Sequence, residues 1–299
     1  AVAEAGLDLA VIDDAPSTAA ADQARALGLA LTGTPSAEAL GAFVAERTAV
    51  LPSPGIPDAH PVFAAARDGG VPVFGELDLV DAWDERPLVV LTGTDGKTTV
   101  TTMVTEMLRR SGQQVVDAGN NDLPLVTAIE DPRIERFVVE ASSFRLGHTA
   151  AFRPSVGVWL NFAPDHLDSH ASLKAYEAAK AKLFELLPTT GVAIVNADDP
   201  VVARHRPGQC RVVTFSIQPG GEAGYHLAGD SLRKPDGSVL LEVAELPRAL
   251  PHDLANALAA SAAALESGAS LDAVQQVLRT FTGLPHRVER VGEWNGVAW

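Results

Sequence analysis

One cysteine, two methionines and an aromatic share of only 5% stand out in a chain of 299 residues. The lone thiol, Cys210, excludes an internal disulfide. With no Cys or His beside it at metal-ligand spacing, it reads as a small buried hydrophobe in preference to a nucleophile. Basic side chains are also few. The 23 Lys and Arg against 38 Asp and Glu leave a formal net charge of −15, which argues against a nucleic-acid surface, because a phosphate backbone demands clustered cations. Long apolar runs are missing too: nothing reaches the ~18 consecutive apolar residues of a membrane span, and the Ala-rich stretch 254–265 is broken by Asn256 and Ser261. Residues 1–12 carry no basic segment of the kind that opens an export signal. The expectation is a cytoplasmic protein with small-molecule partners, no nucleic acid and no membrane, and a monomer as the favoured state. Nucleotides stay open, since a small anion needs only a local pocket of backbone N–H groups, a helix N-terminus, a lysine or a metal ion.

What is present is 46% hydrophobic, enough for a core in each of two domains at roughly 100–200 residues per domain. The expected class is α/β. Residues 1–80 alternate Ala-rich helical pieces with short strands and read as a partial Rossmann-like domain, 81–87 (DAWDERP) reads as a linker, and 88–286 as a P-loop-type central domain with a mostly parallel sheet. Both ends read as cut. A short strand over 9–12 ends in Asp13-Asp14, where a dinucleotide-type fold would have its glycine turn about 20 residues earlier, before residue 1. At the far end Asn295-Gly296 marks a hairpin turn, because both central positions of a type I′ turn need positive φ, and 287–299 reads as the opening of a third domain that is otherwise absent.

In the second domain the strands predicted over 88–91, 115–117, 137–139, 156–160 and 192–195 each run into polar residues. Ligands of parallel sheets bind at that carboxyl edge. The strongest motif lies there: Gly93, Thr94, Asp95, Gly96, Lys97, Thr98 and Thr99, between an apolar strand and a helix whose apolar residues Val100, Met103, Val104, Met107 and Leu108 share one face. Two glycines let the backbone fold its N–H groups around a phosphate, Lys97 reaches the β/γ-phosphates, and the Thr98 hydroxyl suits Mg²⁺. Only two residues separate Gly93 from Gly96, where the usual P-loop has four.

That shortened turn resembles the ATP site of the Mur ligases and of the related folylpolyglutamate synthases. Further segments resemble the same family in the same order: Phe137–Phe144 (FVVEASSF), Asn161–Asp168 (NFAPDHLD), Tyr176–Lys180 (YEAAK), Asn196–Pro200 (NADDP), the helix start at Asn256 and Gly283–Glu289 (GLPHRVE). Ser142-Ser143-Phe144 and Ser53-Pro54-Gly55-Ile56 are similar to the members that add D-glutamate to UDP-N-acetylmuramoyl-L-alanine. The resemblance implies an ATP-dependent amide-bond ligase of peptidoglycan precursor synthesis working through an acyl phosphate, with ATP, two Mg²⁺ sites and a carbamylated lysine.

It further implies roles by position. Glu140 and Thr98 hold the first Mg²⁺, while His166 and carbamylated Lys180 serve the second. Asn256 and Arg287 reach the nucleotide; Asp13, Ser53, Gly55, Asn120 and Ser142 meet the substrate. For Lys180 the chemistry agrees, because an ammonium with a pKa of about 10.4 would repel a metal and a carbamate would not; Lys182 is the alternative two residues on. Asp13 reads equally as a strand-end turn residue. His60, His148, His170 and His205 are expected to be ordinary surface or capping residues. Three departures from the family pattern stand out: Asn121-Asp122 for a hydrophobic residue and glycine, Arg145 for Gln, and Asp253 in the His252-Asp253 pair for Asn. Two rival readings remain, a ligase of the same type with another acceptor and a non-catalytic nucleotide-binding fragment. Without the third domain, low turnover is expected.

Overall fold

The structure, a computed structural model, describes residues 6, 8–120, 123–167, 169–220, 224–285, 293–294 and 297–298. The first segment folds around a two-stranded parallel sheet, β1 (Val11–Asp13) beside β2 (Leu31–Gly33), with helices α1 (Thr18–Ala26), α2 (Ala37–Ala45) and α3 (Pro61–Gly69). Its own small core joins Leu40 and Val44 of α2 to Val62 and Ala66 of α3. Helix α4 (Glu76–Trp83) follows. The stretch expected to be a linker therefore opens with the last turn of a helix, and Leu77 and Val80 of α4 are buried in the core of the larger sheet. Their three-residue spacing puts both on one helix face, a periodicity that the polar run after them hides.

Nine strands form that larger sheet. In chain order the elements are β3 (Leu88–Thr92), α5 (Lys97–Arg110), β4 (Val115–Gly119), α6 (Leu125–Ala128), β5 (Arg136–Glu140), α7 (Ser143–Gly147), β6 (Val156–Trp159), α8 (Leu173–Glu185), β7 (Val192–Asn196), α9 (Pro200–Arg204), β8 (Arg211–Ser216), β9 (Tyr225–Ala228), β10 (Ser231–Arg233), β11 (Val239–Glu242), α10 (Pro251–Glu266) and α11 (Leu271–Thr280). The spatial order is β11-β10-β9-β8-β7-β6-β3-β5-β4. Pairings from β4 through to β9 are parallel, and β10 and β11 close the edge antiparallel. The mostly parallel α/β architecture expected from the sequence is what forms. A short antiparallel pair, β12 (Glu293–Trp294) and β13 (Val297–Ala298), lies beyond it; the Asn295-Gly296 turn between them is outside the described residues.

β3 lies inside the sheet and every residue of it is buried, as expected for a strand covered on both faces. Val89 and Leu91 pack on the side of α5, α10 and α11, whereas Leu88 and Val90 face α4, α7 and α8. Each fully buried side chain of this size contributes about 1.5–3 kcal/mol. The burial fixes where β3 ends, and so where the loop after it emerges.

Candidate functional site

The loop 93–96 leaves β3 at the carboxyl edge of the sheet and enters α5 through Gly96, which has φ +80. A side chain at either glycine would collide: a Cβ on Gly93 would sit 3.0 Å from Leu160 Cβ, and one on Gly96 2.7 Å from Asn256 Oδ1. The loop is lashed in place by Asn161, two residues past β6. Its Oδ1 accepts from the N–H groups of Thr94 and Asp95, both at 2.9 Å, and its Nδ2 donates to Asp95 O at 3.1 Å. Thr94 adds a second tie, its hydroxyl lying 3.2 Å from the Tyr176 hydroxyl and accepting from Ala163 N at 2.9 Å. The sequence alone gives neither Asn161 nor Tyr176 a role. Asn161 was detectable as the polar residue ending a parallel strand; Tyr176 matters through a contact across 82 residues, which no local pattern encodes.

Two lysines converge on one carbonyl. Lys97 Nζ donates to Gly93 O at 3.1 Å and to Thr94 O at 2.9 Å, while Lys180 Nζ, from α8, donates to the same Gly93 O at 2.6 Å. Lys180 is 1% exposed. Burial, followed by the nearby Lys97 charge, pushes its ammonium down to about 7, against the opposing pull of Asp165 and Asp95. A substantial share of Lys180 is therefore a neutral amine near neutrality. The rival in this helix, Lys182, points elsewhere and donates to the carbonyls of Gly147 and Thr149.

Glu140 ends β5 in register with Leu91 of β3. Registered neighbours in a sheet share a face, so its carboxylate belongs to the α5 side, where Thr98 occupies the first helical turn. Glu140 is 5% exposed. Gly119 approaches it so closely, at φ +107, that a Cβ would lie 2.4 Å from Glu140 O, and Asn120 N donates to that carbonyl at 2.9 Å. A hydroxyl and a carboxylate are hard oxygen donors that suit Mg²⁺, which commonly takes one or two protein ligands and completes its shell with phosphate oxygens and water. Among the described residues no three His, Cys, Asp or Glu side chains gather into a metal cluster.

His166 sits on the exposed loop after β6 and is the one described non-glycine residue with positive φ, at 52°. Its ring lies 3.4 Å from Asp165 and packs against Phe144 and Tyr176. Lys180 Nζ lies 4.7 Å from the centroid of the same Tyr176 ring, so both residues named for the second metal border one aromatic side chain. Asp199 supports this loop from α9: one carboxylate oxygen caps the helix, and the other accepts from Phe162 N at 2.7 Å.

Beside the glycine loop opens a cleft of about 560 Å³, with Asp95, Gly96 and Thr99 at one end and Asn256, Phe281 and Leu284 among its walls. Asn256 thus lines the same cleft as the glycine loop. Asp253, in the same wall, is held 3.1 Å from Arg248 and caps Leu250 N. Arg287, Asn121-Asp122 and Asp168 are outside the described residues.

The substrate residues named from the first segment are less converged. Asp13 Oδ1 accepts from Ala15 N at 2.9 Å, the geometry of its strand-end reading. Ser53 and Gly55 form an exposed turn closed by Ile56 N to Ser53 O. Ser142 is buried, and its hydroxyl caps α7. Among the histidines, His60 caps α3, and His148 and His205 stand at the C-caps of α7 and α9, all as expected; the expectation for His170 needs correcting. His170 is buried, with ring nitrogens 3.0 Å from Asp58 and 2.9 Å from Ser143. His148 stacks on Phe63, and His205 pairs with Glu177. Each partner is remote in sequence, so local composition gave no sign of it.

The Mur ligase middle domain matches residues 91–264. A UDP-N-acetylmuramoylalanine–D-glutamate ligase of Shigella sonnei (strain Ss046) is 38% identical over 251 residues, 84% of this chain and 56% of that protein. The enzyme of the same name from Nitrosococcus oceani is 36% identical over 263 residues, 86% of this chain and 57% of its own length. The chain thus spans a little over half the length of these relatives. Among solved structures, the UDP-N-acetylmuramate:L-alanyl-gamma-D-glutamyl-meso-diaminopimelate ligase of Neisseria meningitides superposes with a TM-score of 0.61 at 20% identity, covering 95% of this chain and 93% of that one. MurF from Acinetobacter baumannii gives 0.58 at 23% identity over 94% of this chain and 56% of its own. Both likenesses speak to the fold.

Proposed function

The chain belongs to the Mur ligase family, and from that premise we propose that it supplies the ATP-binding and acceptor-activating part of a ligase that joins D-glutamate to UDP-N-acetylmuramoyl-L-alanine. One observation carries the reading: a glycine loop tied by Asn161, crowned by Lys97 and flanked by buried Glu140, next to a cleft deep enough for a base. An acceptor carboxylate oxygen attacks the γ-phosphorus of ATP, ADP departs, and an acyl phosphate results. The amine nitrogen of D-glutamate then attacks the acyl carbon, phosphate leaves and the nitrogen loses a proton. Charge gathers on phosphate oxygens throughout, and Lys97 with the loop amides is the preorganised counter-charge.

Thr98 and Glu140 would hold one Mg²⁺, which when bound neutralises the β- and γ-phosphates. The neutral amine of Lys180 can take up CO₂, forming an N–C bond and releasing a proton, and the resulting carbamate beside His166 would serve a second metal. Asn256 reads the base edge, and Arg287 extends that contact. Asp13, Ser53, Gly55, Asn120 and Ser142 form the acceptor side, Ser142 through the helix it caps. The two-part division, 1–80 for the acceptor nucleotide and 88–286 for ATP, is part of the same proposal, with α4 assigned to the second part by its packing.

The test is calorimetry of the chain, saturated with a non-hydrolysable Mg-ATP analogue, against UDP-N-acetylmuramoyl-L-alanine, against the same nucleotide with a longer peptide, and against a folate. Preference for the first supports the proposal; preference for either of the others transfers the chain to a different acceptor class. Carbon NMR in labelled bicarbonate reports the carbamate, whose signal should vanish in Lys180→Met and persist in Lys182→Met.

A further inference from the structure

His170 has a feature that the proposed chemistry does not use. Its side chain is 2% exposed, yet both ring nitrogens are engaged: Nδ1 lies 3.0 Å from Asp58 Oδ2 and Nε2 lies 2.9 Å from Ser143 Oγ. A carboxylate only accepts, so Nδ1 carries the proton, and in the neutral ring Nε2 accepts from the Ser143 hydroxyl. The three residues come from three places. Asp58 lies three positions past Gly55 in the first segment, Ser143 opens α7 directly after Ser142, and His170 closes the loop of His166 through its backbone N–H to His166 O at 3.0 Å. The ring stacks on Phe144 at 5.1 Å with an interplanar angle of 4°, and Phe144 also packs against His166 at 5.0 Å. A weaker main-chain bond, Asp58 N to Ser169 O at 3.4 Å, runs beside the relay.

We propose that His170 is a positioning residue whose relay to Asp58 and Ser143 locks the turn carrying Ser53 and Gly55 against the loop carrying His166, so that acceptor-binding groups from two segments share one rigid seat. Buried polar relays of this kind are satisfied only in one arrangement, which is why they specify geometry. Ser143 is 1% exposed, so the Ser-His-Asp order here is a clamp and not a nucleophile. The acceptor half of this inference rests on the function proposed above; the mechanical half does not.

The experiment therefore has two arms. In the first, amide exchange is followed at Ser169 and His170 in the parent chain, in Asp58→Ala, which removes the acceptor of the Nδ1–H, and in His170→Phe, the last keeping the stacked ring while removing both hydrogen bonds. Faster exchange in both variants, with the sheet amides unchanged, supports the lock, and unchanged exchange in Asp58→Ala overturns it. In the second arm, affinity for UDP-N-acetylmuramoyl-L-alanine is compared with affinity for Mg-ATP. His170→Phe should lose at least about ten-fold in acceptor affinity, about 1.4 kcal/mol, while Mg-ATP affinity stays within about two-fold. Restoration by His170→Gln, which can still donate to Asp58 or accept from Ser143, adds support. Equal losses for both ligands, or unchanged acceptor binding despite faster exchange, overturn the positioning role. Should the parent chain bind no acceptor, the proposed function falls, and the exchange arm still decides whether the relay joins the two turns.

Discussion

Gly96→Ala tests whether the loop geometry is what makes the site. Two costs add at this position. An L-residue held at φ +80 pays about 1–2 kcal/mol for the left-handed conformation. The new methyl, placed 2.7 Å from Asn256 Oδ1, must then push that amide out of the cleft wall, at about 1–2 kcal/mol for a local overpacking. The expected loss is about 2–4 kcal/mol of unfolding free energy, read from urea denaturation, with at least about a ten-fold loss of Mg-ATP affinity read by calorimetry. Gly112 separates the two costs, because it has φ +87 with nothing within 4 Å of its would-be Cβ; Gly112→Ala should lose about 1–2 kcal/mol and leave Mg-ATP binding alone. Gly55→Ala, with open space and no positive φ, should change stability by no more than about 0.5–1 kcal/mol. If Gly96→Ala matched Gly112→Ala in both assays, the contact between the loop and Asn256 would have no bearing on the site.

Further outcomes follow from other contacts. Asn161→Ala removes the acceptor of two loop N–H groups and a donor to Asp95 O; it should weaken Mg-ATP binding by about ten-fold and cost about 1–3 kcal/mol in denaturation. Asp78, 6% exposed, accepts from the N–H groups of Gly75, Ala150 and Ala151, so Asp78→Ala should cost about 3–5 kcal/mol by the same assay and leave the α4 junction loose to proteases. His148 titrates below its ordinary value, chiefly because burial disfavours its cation, with Lys182 and His170 adding to this and Asp58 opposing. Below about pH 6.5 the unfolded chain then binds more protons than the folded one, so this group costs stability as pH falls and costs none above that window. Thermal unfolding between pH 5 and 7 should show a shallower slope for His148→Phe, which keeps a ring on Phe63, and an unchanged slope would refute the assignment; these pH limits are roughly the histidine range.

The sheet and the loop were legible in the sequence because both are written locally. β3 is an unbroken apolar run, α5 has its apolar residues on one face, and glycines mark the turn between them. The order of the nine strands was not legible, since neighbours such as β3 and β6 lie more than sixty residues apart, as their register from Val89 to Val156 shows. The four strands beyond β7 are weakly marked in the sequence; β10 has only three residues, and β9 pairs with β8 through only two positions. The burial of Lys180 was likewise hidden: YEAAKAK reads as a solvated helix surface, and only the packing of α8 under the sheet takes its amine to Gly93 O. His170 illustrates the same limit, because a histidine in a polar loop becomes a buried relay only when Asp58 and Ser143 arrive from elsewhere.

The central claim is that residues 93–99, with Lys97 and Glu140, cradle a magnesium–nucleoside triphosphate. Calorimetric titration of the chain with ATP, with and without Mg²⁺, on the parent, Lys97→Met and Glu140→Gln, tests it most directly. The account predicts saturable binding by the parent that requires Mg²⁺ for full affinity, with a loss of at least about ten-fold in each variant at unchanged thermal stability. Binding of equal strength in all three proteins, or no heat of binding in the parent, would contradict it.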